Sequence, residues 1–134
     1  AAPVGRMRQA RILVVDAAER LRSILTAVLE ELGHEVDEAS TGQEAIDRLE
    51  RGTYDLVALD LRLPDIDGKA VWQRMRAKSP RLASTVFFMT GDTMSAETQK
   101  FLQEAGRPVL TKPLTFDGIR QIVGEMLAAE PPKA

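Results

Sequence analysis

Five times along this chain a short, continuous apolar run is followed by a segment whose apolar residues recur at helical spacing. That alternation limits the fold more than any single residue does. Uninterrupted, β-branched apolar runs read as strands buried on both faces, and strands separated by helices pair in parallel through right-handed crossovers. The chain is therefore predicted to be α/β, with one parallel sheet between two layers of helices.

Residues 11–15 (RILVV) give the first strand, and 19–32 the first helix, with Leu21, Ile24, Leu25, Val28, Leu29 and Leu32 facing inward and Gly33 as its stop. The second strand, 35–39, is more polar and belongs near an edge; Thr41 caps a helix over 43–51 that buries Ala45, Ile46 and Leu49. The third strand, 56–59, leads to a helix over 70–78, buried through Val71 and Met75 and stopped before Pro80. Residues 85–89 form the fourth strand, and 95–105 a helix with Phe101 and Leu102 as its buried pair. A short fifth strand, 108–110, precedes a closing helix over 116–127 with Ile119, Ile122, Val123, Met126 and Leu127 on one side. Residues 1–10 read as a linker or remnant, 11–128 as the domain and 129–134 as a frayed tail.

At 134 residues the chain holds one domain with a substantial core. Its 44% hydrophobic and 28% charged residues exclude disorder, and no apolar run reaches the roughly 20 residues of a spanning helix. No membrane contact is expected, and the absence of a targeting segment favours the cytoplasm. Without cysteine there is neither a disulfide framework nor a thiolate metal site. A net charge of −2, with four Phe, one Tyr and one Trp, argues against nucleic acid as a partner.

The strands end on chemistry. YDLVALDLRLPDIDG runs from a buried strand into Asp60 and then a loop broken by Pro64, Asp65, Asp67 and Gly68. Asp16, Thr90 and Lys112 also stand just past apolar strands, so all four residues gather at the carboxyl edge of the sheet, where ligands bind in open α/β folds. Each has a plainer explanation alone: a helix N-terminal carboxylate, a strand-end aspartate, a capping hydroxyl, a solvated loop cation. Together they make a carboxylate site faced by a hydroxyl and an ammonium.

From 11 to 127 the chain resembles the receiver domain of two-component response regulators. The resemblance rests on ILVVD, DLVALDLRLPDIDG, MTGD and LTKPL, each in register with the strands. The phrase TGDTMSAETQKFLQEAGRPVLTKP looks like receivers attached to hybrid histidine kinases. The resemblance implies a flavodoxin-like (βα)5 fold with strand order 2-1-3-4-5. It also implies Asp60 as phosphoacceptor, with Lys112 and Thr90 contacting the phosphoryl group. Mg²⁺ would be held by Asp16, Asp60 and the Arg62 backbone carbonyl, and Pro113 would follow a cis peptide that aims Lys112. Taken as an exposed carboxylate of pKa about 3.9, Asp60 is expected to be ionised and nucleophilic. The implied phosphodonor is a histidine kinase or phosphotransfer domain. The implied output is a protein partner reading the face built from the helix over 95–105, the fifth strand and the closing helix.

Two residues depart from the family pattern. Ala17 stands where the second acid of the first loop is usual, so weakened Mg²⁺ binding is expected. Val109 stands where an aromatic switch residue is common, and its stiff side chain has no ring to swing. These departures favour an alternative, a pseudo-receiver that binds partners without phosphorylation. A flavin or nucleotide enzyme is disfavoured because DAAER after the first strand is not a glycine-rich cradle. Trp72 is expected to be partly buried, and His34 to be a loop residue without a catalytic or metal role. The fold is expected to consume the chain by about Leu127, leaving no room for an output domain in this sequence, which suits a stand-alone regulator or a receiver cut from a larger protein.

Overall fold

All five apolar runs lie in one parallel sheet of order β2-β1-β3-β4-β5. The computed structural model describes residues 9–91 and 95–128. In chain order the elements are β1 (Arg11–Val15), α1 (Glu19–Glu31), β2 (Glu35–Ala39), α2 (Gly42–Arg51), β3 (Leu56–Asp60), α3 (Gly68–Lys78), α4 (Pro80–Ala83), β4 (Val86–Thr90), α5 (Ala96–Ala105), β5 (Val109–Thr111) and α6 (Phe116–Ala128). The more polar β2 is an edge strand, as its composition predicts. The three central strands are buried along nearly their whole length.

Side chains alternate across a strand, so each run feeds two cores. Ile12, Val14, Ala58, Phe87 and Met89 pack with Leu25 and Leu29 of α1 and with Ile119, Ile122 and Val123 of α6. Leu13, Val15, Val57, Leu59 and Phe88 pack with Ala45 of α2, Val71, Trp72 and Met75 of α3, and Phe101 of α5. Burying each large apolar side chain of this kind contributes about 1.5–3 kcal/mol.

Several local expectations change. Ile24 is half exposed, because the buried stripe of α1 runs through Leu25 and Leu29 and leaves Ile24 one position off it. The third helix stops at Lys78, before Pro80 as expected, but Ser79 then caps an unforeseen further turn, α4, in which Pro80 needs no N–H donor. The last two strands lie one residue later than expected. Pro108 cannot donate to Val86 O from its place on the parallel register, and Arg107 Nε supplies that hydrogen bond instead, at 3.0 Å. Leu102 is only half-buried beside buried Phe101.

Trp72 is buried more completely than expected. Its Nε1 donates to Ala83 O at 3.1 Å, and its ring meets Phe88 and Phe101 edge-on. His34 is a loop residue, as expected, but a buried one: its Nδ1 accepts from Ala10 N at 3.1 Å, and burial lowers its pKa against the raising effect of Asp55. That bond also brings Ala10, read from sequence as linker, into the core. Residues 1–8 and 129–134, which carry the rest of the linker and tail readings, lie outside the described residues.

Candidate functional site

Because the strands are parallel, the ends of β1, β3, β4 and β5 share one edge, and Asp16, Asp60, Thr90 and Lys112 meet there. Asp60 is the last residue of β3 and only 4% exposed; Asp16 and Thr90 are as deeply buried. Lys112 follows β5, and its N–H donates to Thr90 O at 2.9 Å, which fixes the start of its loop to the end of β4. The Lys112–Pro113 peptide is cis. Lys112 Nζ then reaches between the two carboxylates, 2.9 Å from Asp60 Oδ2 and 3.1 Å from Asp16 Oδ2.

The second oxygen of each acid is held by its own loop. Ala18 N donates to Asp16 Oδ1 at 2.8 Å, and Arg62 N to Asp60 Oδ1 at 3.1 Å. Asp16 Oδ2 is buried, and its contact with Lys112 is an ion pair without an aligned hydrogen bond. This leaves one carboxylate oxygen with unused acceptor capacity inside the site.

Burial raises the pKa of Asp60. The hydrogen bonds from Lys112 and Arg62 N–H oppose that change, Asp16's charge adds to it, and the net direction is upward. The expectation of an exposed aspartate with an ordinary pKa is thereby corrected. Burial pulls Lys112 down, but the hydrogen bond to Asp60 and the close carboxylates of Asp60 and Asp16 together outweigh it, so its pKa is raised and it remains an ammonium at neutral pH.

Three supports of the site are barely legible in sequence. Gly68 opens α3 directly against the Asp60 backbone, and a Cβ there would collide with the Asp60 carbonyl. Asp65, expected only to break regular structure, caps α2: its carboxylate accepts from Gly42 N at 2.8 Å and Gln43 N at 2.9 Å, and hydrogen bonds from these and neighbouring amides hold its pKa low. Arg22 reaches back from α1 to the Asp16 carbonyl at 2.8 Å. The pairing of two loops or two elements in space is what sequence spacing does not display.

A cleft of about 140 Å³, lined in part by Leu61, Arg62, Lys69, Thr90 and Phe101, opens beside Asp60. Among the described residues no three His, Cys, Asp or Glu side chains cluster as metal ligands. Ala17 contributes no carboxylate, and Glu19 is exposed in the first turn of α1. Val109 is half-buried on β5, opposite Phe88, so no aromatic ring occupies that position. Among the described residues no helix is long and apolar enough to cross a membrane.

The family model of the response regulator receiver domain matches residues 12–124. The transcriptional regulatory protein TcrA of Mycobacterium tuberculosis is 34% identical over 84% of this chain, and the match covers 44% of that protein. The aerobic respiration control sensor protein ArcB of Escherichia coli is 30% identical, also over 84% of this chain but over 14% of its own length. The chain thus spans less than half of these relatives. The receiver domain of a Pseudomonas aeruginosa sensor histidine kinase, solved with magnesium coordinated in its active-site cleft, superposes with a TM-score of 0.81 at 25% identity, covering 90% of this chain and 99% of that one. The response regulator TrrA of Thermotoga maritima, solved with Mg²⁺ and BeF, superposes with a TM-score of 0.77 at 32% identity, covering 87% and 98%. Strand order, strand-end residues and family match agree: this chain belongs to the response regulator receiver domains of two-component signalling systems.

Proposed function

We propose that this receiver domain is a working phosphoacceptor in the cytoplasm, taking a phosphoryl group onto Asp60 from a histidine kinase or phosphotransfer domain. The observation that carries the reading is the bridge of Lys112 between Asp60 and Asp16 at 2.9 and 3.1 Å. In the transfer, an Asp60 carboxylate oxygen attacks phosphorus as the N–P bond of a phosphohistidine breaks, and the electron pair leaves with the imidazole nitrogen. Lys112 keeps its charge and shifts from the carboxylate to a phosphoryl oxygen, while the Thr90 hydroxyl donates to another. When water later cleaves the acyl phosphate, the same two groups balance the departing charge. The domain therefore acts chemically only on its own aspartyl phosphate.

A hard divalent cation suits this donor set, since Asp16 Oδ2 is a buried carboxylate oxygen with acceptor capacity to spare. Asp16, Asp60 and the Arg62 carbonyl would hold Mg²⁺, whose charge when bound offsets the repulsion between carboxylate and phosphoryl oxygens. With Ala17 contributing no ligand, affinity is lower than in a site with two acids on that loop. Output would pass through the loop after Thr90 and the face of α5, β5 and α6; unchanged partner binding across an alanine scan of that face would remove this part of the proposal.

Ala17 and Val109 favour a second reading, an interaction module that works without phosphorylation. Intact-mass measurement after acetyl phosphate treatment, with and without Mg²⁺ and beside Asp60→Asn, separates the two. A Mg²⁺-dependent phosphoryl adduct absent from the variant is expected. No adduct from either acetyl phosphate or a histidine-phosphorylated donor would reject the phosphoacceptor reading.

A further inference from the structure

Arg22 has no part in the transfer just described, yet its side chain is only 15% exposed and its guanidinium is held on two sides. Nη1 donates to the Asp16 carbonyl at 2.8 Å and lies 3.4 Å from the Ala17 carbonyl. Nε donates to Glu38 Oε1 at 3.1 Å. Glu38 stands on β2 opposite Val14 of β1, so the guanidinium joins the edge strand, the first turn of α1 and the loop that carries Asp16. A surface ion pair is worth little by itself. This one is mostly covered, and its donor engages backbone carbonyls rather than a second side chain.

The loop from Asp16 to Ala18 has few other restraints. The α1 N-cap, Ala18, offers no side-chain cap; apart from the Arg22 contacts, the loop is held by Asp16 N donating to Ala39 O at 3.1 Å and by Ala18 N donating to Asp16 Oδ1, neither of which engages the Asp16 carbonyl. Fixing the Asp16 carbonyl fixes the peptide plane that follows it, and with it the direction of the carboxylate whose Oδ2 faces Lys112. Because Ala17 bears no second acid, a misdirected Asp16 has no neighbour on the loop to replace it. We infer that Arg22, locked by Glu38, is a positioning residue that sets Asp16 for divalent-cation uptake. This rests on the cation reading under Proposed function. Partners that orient a ligand without touching the metal commonly change affinity by about 10- to 100-fold when removed, and one acting through a backbone carbonyl belongs at the low end.

The test is a Mg²⁺ titration of the full chain followed by amide NMR shifts of residues 16–18 and 60–62, with thermal melting in parallel. Arg22→Ala is expected to raise half-saturating Mg²⁺ about 5- to 10-fold, and Glu38→Gln about 2- to 3-fold with little change in melting temperature. Arg22→Lys should not rescue, because one ammonium cannot hold both the carbonyl and Glu38 in the planar fork of arginine. A merely structural role would lower melting temperature and leave half-saturation unmoved. Wild-type-like titration of Arg22→Ala and Glu38→Gln overturns the inference while leaving the cation reading intact; if Arg22→Ala fails to fold, Glu38→Gln and Arg22→Lys decide. No Mg²⁺ response from the wild type at any concentration would remove the cation reading and this inference with it.

Discussion

Replacing Asp60 by asparagine removes the proposed nucleophile and should also make the metal-free domain more stable at neutral pH. The substitution keeps size and shape, so the change is one of charge. Asp60 Oδ2 and Asp16 Oδ2 both lie within about 3 Å of the same ammonium, so they are within about 6 Å of each other, and their repulsion at an effective dielectric near 20 is on the order of 3 kcal/mol. Lys112 attracts Asp60 more strongly than that, but burial opposes the charged form, and the net result is a raised pKa. A group whose folded pKa lies above its unfolded value of 3.8 favours folding when protonated and loses that advantage as pH rises through the folded pKa. Water on the open side of the cleft screens part of the imbalance, so the gain on neutralisation is on the order of 1 kcal/mol, or roughly 3–4 °C in melting temperature. Urea denaturation without Mg²⁺ at several pH values would measure it. The two proteins should be equally stable below pH 3.8, with the variant's advantage growing as pH rises and then levelling off. A variant less stable than wild type at pH 8, or one with the same advantage at every pH, would refute the reasoning.

Other perturbations follow from the same geometry. Ala17→Asp restores an acid to the first loop and should tighten Mg²⁺ binding by about tenfold or more, as ligand charge and count increase; isothermal titration reads it directly. Gly68→Ala places a Cβ against the Asp60 carbonyl and should cost about 2–3 kcal/mol in chemical denaturation, a penalty for overpacking against backbone that cannot give way. His34, whose folded pKa is lowered from 6.5, contributes stability that is present above that value and lost as pH falls through the folded one. His34→Asn, with an oxygen able to accept from Ala10 N, should flatten that part of the stability–pH curve.

What the sequence makes legible is what repeats or terminates a pattern. Uninterrupted apolar runs locate the strands, the polarity of β2 puts it at an edge, and Thr41 declares itself as a cap, accepting from Glu44 N at 3.0 Å. Ile24 is misplaced by the pattern because helical spacing marks a broad stripe, while the space against the sheet admits a narrower one. The burial of His34 in its loop goes unseen because a lone histidine after Gly33 carries no local signal of the Ala10 N–H that meets it from 24 residues away. Asp65 and Arg22 escape notice for the same reason: each satisfies backbone groups of another element, and nothing in the adjacent residues records the partner. The strand-end residues gather as the pattern requires, but the burial that raises Asp60's pKa depends on the loops closed over it, which composition does not specify.

The two departures from the family pattern fall on opposite ends of the proposed signal, and the interior constrains how the output end can work. At Val109 there is no ring to exchange an inward for an outward position when Thr90 moves. The aromatic mass lies on the same face of the sheet but on the neighbouring strand: Phe88, the register partner of Val109 and two residues before Thr90, packs edge-on against Phe101 of α5 at 5.3 Å and against Trp72 of α3 at 6.0 Å. These three rings are buried and interlocked, with Trp72 further pinned by its bond to Ala83 O. Each ring is locked edge-on against the other two, so a displacement at the end of β4 would reach α5 as a shift of the whole helix. If Asp60 phosphorylation is read on the face of α5, β5 and α6, the reading is by helix position, with Phe101 as the contact that passes it on, and the absence of a swinging residue at Val109 does not by itself silence the domain.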